Sequence, residues 1–545
     1  MRPEDQERIL TEVQSRIVKH HTDLAADGKL RLDEVLADTL YHERRRLKES
    51  RDNKKKDDQA FYDEIYRALP RSSDRAHKHN LERIVRRYAE EISGNFDERV
   101  YKAVTRAGSS AFGLLMNAVS PKLLVQRFPD LPTFDDAIVI QGEIEHLRRL
   151  HEVGTVICVP THVSNMDSIV VGYALYKLGL PPFIYGAGLN LFENRLIGYF
   201  MHNLGAYTVD RRKKDPLYKE VLKTYATLTL EHGYDNIFFP GGTRSRSGAI
   251  ETKLKLGLMG TGIQAYVNNL ERNKKDPKVF VVPTTLSFQL CLEAETLIDD
   301  FLKEVGKARY IITDDEFAQP RRIYDFLQQA INLDSKIYFH VGRGMDVFGN
   351  PVDDDGESVD PGGRHIDTRR YVMRDGEVVH DAQRDNEFTR ELGEKVAEAF
   401  LRENLVQATN VVARAMFHQL RLRNPDTDLV RLLRAGGAQE DCSMYSLYEE
   451  VSALLTQLRG LHARGGIQLG PIVKHGSAEE VVADALAHFD SYHAQPALER
   501  RGDRAFAVDR PLLFYYQNRL EGYRLERESG LSPALTPDHR SLAGT

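Results

Sequence analysis

Between Asp136 and Asp346 short runs of β-branched and apolar residues recur, each set apart from the next by a stretch with helical spacing. The extended runs are Ala137–Gln141, Thr155–Val159, Phe183–Gly186, Ala206–Val209, Asn236–Phe239, Val279–Leu286 and Ile337–Val341. Helical spacing marks Asp167–Leu178, Glu193–Asn203, Leu217–Leu230 and Gly257–Val267. An apolar run this short, bounded by turn residues, fits a buried strand better than a helix. Strands alternating with helices imply an α/β fold: a central sheet flanked by helices.

The flanks read differently. Residues 1–120 form an N-terminal helical region with charged faces, and its basic runs Arg44–Lys48 and Lys54–Lys56 read as solvated surface. Ala111–Val119 is the apolar exception, either a core helix or a face that touches lipid. The α/β region is expected over 121–383, a mainly helical C-terminal region with a short extended piece at Ala505–Val508 over 384–528, and a disordered tail over 529–545. Asp375-Gly376 between Tyr371-Val-Met and Val378-Val is a hairpin signal. Gly349 to His365 is loop. Its Asp353, Asp355 and Gly356 hint at a calcium loop, but the first and twelfth ligand positions would be Pro351 and Gly362, which excludes it.

Composition narrows the function classes. A chain of 545 residues with 41% hydrophobic and 29% charged residues is globular and large enough for more than one domain. A net charge of −6 makes no general case for nucleic-acid binding. Cys158, Cys291 and Cys442 form no metal-ligand pattern and fit a reducing compartment. The charged N-terminus carries no secretory signal. Between Ser168 and Phe192 the only charge is Lys177, yet Pro181-Pro182 divides the stretch, so a helix followed by a buried strand is the simpler reading than a membrane span. A cytoplasmic protein, soluble or peripheral, is the expectation.

His162-Val-Ser-Asn-Met-Asp167 lies where the Thr155–Val159 run gives way to a helix. An imidazole held by a carboxylate is a ready general base. A five-residue step inside a regular helix puts two side chains on poorly matched faces, so contact requires His162 to lie in the preceding turn. The same residues also read as a helix start, with Ser164 capping and Asp167 near the positive helix end. Both readings stand on these residues alone.

Further blocks in the α/β region bear on that choice. Gly205-Ala-Tyr-Thr-Val-Asp-Arg211 is a strand ending in a basic cluster that runs through Arg212, Lys213 and Lys214, which is ordinarily a solvated loop. Phe238-Phe-Pro-Gly-Gly-Thr-Arg-Ser-Arg246 is more specific. Paired glycines, Gly241 and Gly242, can turn sharply and aim N–H groups at an anion, and arginine grips phosphate in bidentate fashion. Lys253 and Lys255 add positive charge or are plain surface lysines, and Val279–Leu286 reads as scaffold. A base with its acid beside a phosphate-sized cationic site implies a substrate bearing both a hydroxyl and a phosphate. With no nucleophile-elbow serine or cysteine, no P-loop and no dinucleotide fingerprint, acyl transfer by direct attack of that hydroxyl fits best.

These blocks resemble those of the glycerolipid acyltransferases, most closely the bacterial glycerol-3-phosphate acyltransferases. His162 and Asp167 meet the family's histidine-four-residues-aspartate block, Gly205 through Arg211 its second, Phe239-Pro-Gly-Gly-Thr-Arg-Ser245 its third and Val281-Val-Pro283 its fourth, in the same order. The likeness is strong over Ser109 to Gly349, weaker over the C-terminal helices, where Leu512–Arg519 is similar to the longer bacterial enzymes, and absent over the first hundred residues. It implies a central mixed sheet flanked by helices, with His162, oriented by Asp167, taking the proton from the 1-hydroxyl of glycerol 3-phosphate as that oxygen attacks an acyl thioester. It further implies that Arg211, Arg244, Ser245 and either Arg246 or Lys255 hold the phosphate, and that backbone N–H groups near Gly241 and Gly242 serve the oxyanion or the turn. No metal or resident cofactor is implied. The co-substrate is acyl-CoA or acyl carrier protein (acyl-ACP), the acceptor is glycerol 3-phosphate or lysophosphatidic acid, and no nucleic acid is involved. Contact with the inner face of the cell membrane is expected, through Ala111–Val119 and through Leu189, Leu191, Phe192, Leu196, Ile197 and Phe200, which serve equally as core residues. Two positions depart from the bacterial first-step enzymes: Gly241 stands where the family usually has glutamate, as it does in soluble plastid-type members, and Asp210 before Arg211 is more typical of enzymes that acylate lysophosphatidic acid.

Overall fold

The computed structural model describes residue 1 and residues 3–49, 56–106, 137–188, 203–305, 335–437, 439–490 and 493–525. The expectations over 107–136, 189–202 and the tail from 526, which include the apolar Ala111–Val119 stretch and most of the Glu193–Asn203 helix, lie outside the described residues.

The N-terminal region folds into α1 (Pro3–Ala26), α2 (Leu32–Glu49), α3 (Lys56–Ala68), α4 (Asp74–Ile92) and α5 (Glu98–Arg106). The sheet comprises β1 (Ile138–Gly142), β2 (Thr155–Pro160), β3 (Ile184–Gly188), β4 (Ala206–Val209), β5 (Asn236–Ile237), β6 (Val279–Phe288), β7 (Ile337–Val341) and β8 (Met345–Asp346). Its order is β1-β7-β6-β2-β5-β3-β4, with β8 pairing β6 off this path. All pairs are parallel except β6 with β7 and β6 with β8, so the sheet is mixed. Every residue of β2 and β6 is buried, which is why those runs are mostly apolar and carry no charge rather than alternating.

Helices α6 (Ile144–Val153), α7 (Asp167–Lys177), α8 (Pro216–Glu231), α9 (Gly260–Glu271) and α10 (Ala294–Val305) connect and flank the strands. Beyond them α11 (Ala382–Glu403) and α12 (Ala408–Arg423) begin the C-terminal region, which closes on a helix at Arg510–Gln517. The hairpin expected at Asp375-Gly376 is present, Arg374 pairing antiparallel with Glu377 and both turn residues at positive φ. β1, β2 and β3 shift from the sequence reading by one or two residues at their ends, and β5 and β6 differ for a visible reason. β5 ends at Ile237 because the chain leaves the sheet ahead of Pro240, and β6 extends to Phe288 because its far half pairs with β7.

Two apolar cores hold the molecule. The larger joins the sheet to the C-terminal helices, with Val159, Val281, Phe339, Phe400, Met416 and Leu513 among its fully buried members. The smaller joins Ile9, Val13, Leu40 and Ile84 of the N-terminal helices to Tyr207 of β4 and to Tyr218, Val221 and Leu228 of α8. The N-terminal layer therefore covers the β4 end of the sheet.

Lys213 locks that layer in place, which corrects its reading as part of a solvated basic loop. Its side chain is wholly buried, the ammonium 2.5 Å from a Glu91 carboxylate oxygen and 3.7 Å from Glu43, and over the rings of Tyr88 and Tyr218. Asp215 completes the joint by capping α8 and accepting from Tyr88 and Thr39. Removing one partner of a buried ion pair leaves the other charge uncompensated. Lys213→Met is therefore expected to lower stability by about 3 kcal/mol, read as a fall in the midpoint of denaturant unfolding, whereas Lys214→Met on the exposed side of the same loop leaves it unchanged.

Candidate active site

Parallel strands present the loops at their carboxyl ends on one edge of the sheet, where α/β folds gather ligands. β2 delivers His162 to that edge, β5 delivers Phe238 through Arg246, and β4 delivers Arg211. β2 and β5 are neighbours, so their loops touch.

His162 and Asp167 meet as the spacing requires. His162 lies in the turn and Asp167 is the first residue of α7. His162 Nδ1 lies 2.8 Å from Asp167 Oδ2, and that same oxygen accepts from the Val163 and Ser164 N–H groups at 2.6 and 2.9 Å. Asp167 is fully buried, while the His162 side chain keeps 17% of its surface open. Because Nδ1 faces a carboxylate, it carries the proton and Nε2 is left with its lone pair. Nε2 has no protein partner among the described residues, and the ring stacks on Phe239 with centroids 4.3 Å apart. The capping reading is not met: α7 follows Met166, which makes no side-chain capping hydrogen bond, and Ser164 Oγ instead accepts from the Met166 N–H at 3.1 Å, within the turn ahead of the helix.

Two carboxylates that the sequence reading did not single out fix this turn from below. Glu293, fully buried after β6, accepts from Ser164 Oγ at 2.7 Å, from the Asn165 N–H at 2.9 Å and from Arg244 at 3.2 Å. Glu251 accepts from the His162 N–H at 2.7 Å, and the His162 carbonyl accepts from the Ser245 N–H at 2.8 Å. Both lie far from His162 in sequence and carry no motif of their own.

The expected phosphate ligands divide. Arg244 faces Glu293, and Arg246 pairs with Glu304 of α10 at 3.0 Å. Ser245 Oγ donates to the Ala249 carbonyl within its own loop. Arg211, Lys253 and Lys255 are exposed and pair with no carboxylate among the described residues. Arg211 lies close enough to Tyr185 for the two to interact electrostatically, and the Tyr185 ring stands edge-on to Phe239 with centroids 5.9 Å apart, so an aromatic wall runs from Arg211 to His162. Gly242, at φ +77°, makes the sharp turn, and its N–H is donated to the Phe239 carbonyl at 3.0 Å. Of the paired glycines, Gly241 keeps its N–H free of protein partners among the described residues.

Residues 141–287, which hold the histidine turn, the glycine loop and Arg211, match the family model described as Acyltransferase. Over 267 residues the chain is 28% identical to the glycerol-3-phosphate acyltransferase of Aeromonas hydrophila, covering 49% of this chain and 28% of that protein. Over 295 residues it is 28% identical to the glycerol-3-phosphate acyltransferase of Pseudomonas fluorescens strain Pf0-1, covering 54% and 32%. The chain thus spans less than a third of the length of these relatives. The 1-acyl-sn-glycerophosphate acyltransferase of Thermotoga maritima, at 14% identity over 55% of this chain and 78% of its own, superposes with a TM-score of 0.26, too low to add to the geometry.

Glu293 joins the histidine turn to the arginine loop of the domain. Its removal strands a buried hydroxyl, a buried N–H and a guanidinium. Glu293→Ala is expected to cost about 3 kcal/mol of stability and Glu293→Gln, which keeps an acceptor but loses the charge opposite Arg244, roughly half of that. Chemical denaturation of the two variants side by side checks the order.

Proposed function

We propose that this protein is an O-acyltransferase that moves a fatty acyl group from a thioester, acyl-CoA or acyl-ACP, to the 1-hydroxyl of glycerol 3-phosphate. The observation that carries this reading is His162: an imidazole fixed at Nδ1 by a buried carboxylate, with Nε2 open to solvent, inside the residues that match the acyltransferase family model.

The chemistry follows from the geometry. His162 Nε2 takes the proton of the acceptor hydroxyl, whose oxygen attacks the thioester carbonyl carbon. The carbonyl oxygen becomes an oxyanion, for which the Gly241 N–H is the available donor, an interaction worth roughly 3 kcal/mol. Collapse of the adduct expels the thiolate, which recovers the proton from His162. Asp167 stabilises the imidazolium formed in between. Arg211 and Lys255, unpaired cations at the same sheet edge, neutralise the acceptor phosphate. Arg244 contributes through Glu293 by fixing the loop rather than as a free cation.

No helix among the described residues is long and apolar enough to cross a membrane, in keeping with a peripheral enzyme that works at the membrane surface its product enters. Purified protein offered glycerol 3-phosphate or 1-acylglycerol 3-phosphate, each with acyl-CoA or acyl-ACP, is expected to use the first acceptor. His162→Ala should lower kcat about 1,000-fold with unfolding behaviour unchanged. Transfer to the 1-acyl acceptor alone would reassign the substrate, and an active His162→Ala variant would overturn the mechanism.

A further inference from the structure

We propose that Glu251 is a positioning residue for His162, and that Gly241 is glycine because the Glu251 carboxylate occupies the space a side chain there would fill. The proposal rests on His162 being the base, as argued above.

Glu251 belongs to the segment that follows the glycine loop, yet its carboxylate turns back beneath the histidine turn. Its Oε1 accepts the His162 N–H at 2.7 Å, whereas Oε2 is shut off from solvent with no hydrogen-bond partner. A Cβ built on Gly241 would stand 3.0 Å from both Cγ and Oε1 of Glu251. That is tighter than ordinary packing, so even a methyl group would force the carboxylate under His162 to give by a few tenths of an ångström. Glycine at 241 and glutamate at 251 are thus a matched pair: the carboxylate expected from the glycine loop is supplied ten residues later.

The consequence falls on the base. The His162 peptide is held at its N–H by Glu251 and at its carbonyl by the Ser245 N–H, while its ring is held by Asp167. With Glu251 gone, one buried N–H is unpaired and the backbone under the ring is free to shift, and a displacement of about 1 Å costs roughly 100-fold in rate. Burial holds the Glu251 carboxyl above the usual range, with the buried Arg519 opposing from nearby. Glutamine reproduces the acceptor and the shape of the neutral acid.

The test uses the full chain. Glu251→Gln is expected to keep kcat within about threefold of the parent, whereas Glu251→Ala lowers it about 100-fold with KM for both substrates nearly unchanged. Gly241→Ala is expected to lower kcat in the parent and to lower it by a smaller factor in the Glu251→Ala background, since both disturb the same contact. A Gln variant as poor as Ala, a loss seen in KM rather than kcat, or additive effects of the two substitutions would each overturn the proposal. If Glu251→Ala does not fold, Glu251→Gln and Gly241→Ala still decide it. Hydrogen exchange of the His162 amide, expected to be protected in the parent and in Glu251→Gln and less so in Gly241→Ala, reads the contact without turnover. An inactive parent with a protected amide would therefore count against acyl transfer and not against this contact.

Discussion

One carboxylate oxygen organises the catalytic edge of the molecule. Asp167 Oδ2 accepts from two consecutive backbone N–H groups and from the His162 ring, so the turn between β2 and α7 is wound around it. A histidine and an aspartate five residues apart on one helix could not meet. Pulling the first out into a turn stitched to the second makes them meet and fixes the tautomer at once. With the Nδ1 proton committed to Asp167, the lone pair of Nε2 is directed outward. The aspartate also stands at the start of α7, near the positive helix end, so the charge that orients the imidazole is itself favoured there.

Beneath that turn lie three buried carboxylates: Asp167, Glu251 and Glu293. Such a concentration of negative charge would repel an anionic substrate if all of it reached the surface. The fold limits this by spending the Glu293 charge on Arg244 and by burying Glu251, which favours its neutral form. Unpaired cations, Arg211 and Lys255 among them, stand on the solvent side. Charge is thereby layered, with acids below to hold the base and cations above to meet the phosphate of the proposed acceptor.

What the sequence made legible was local. The strands of Ala206–Val209 and Ile337–Val341 fall at their expected bounds, and Asp375-Gly376 makes its hairpin, because burial of short apolar runs and turn chemistry are written in neighbouring residues. The histidine and aspartate were legible because their partner is five residues away. Lys213, Glu251 and Glu293 were not. Lys213 sits in a basic run that reads as surface, and only partners 122 and 170 positions away, Glu91 and Glu43, bury it. Glu293 acts on a turn 129 positions earlier, and Glu251 is one acid in a charged loop until a missing Cβ at Gly241 makes room for it. Arg246 carried the signal of a phosphate ligand and turned instead to Glu304, since an arginine in a loop takes whichever carboxylate the tertiary fold offers.

The two ends of the proposed site are anchored by different cores. His162 and the glycine loop rise from β2 and β5, within the core shared with the C-terminal helices, whereas Arg211 rises from β4, which the N-terminal helices clamp through Lys213. Sheet order places β2 and β4 three strand spacings apart, about 14 Å. A small phosphate ester with its hydroxyl at His162 cannot reach the backbone of Arg211. On the proposed function, the phosphate must be met by the long Arg211 side chain, which interacts with Tyr185, and the turn that carries it is held by the N-terminal layer through Lys213; that layer then bears on acceptor binding through the placement of one guanidinium.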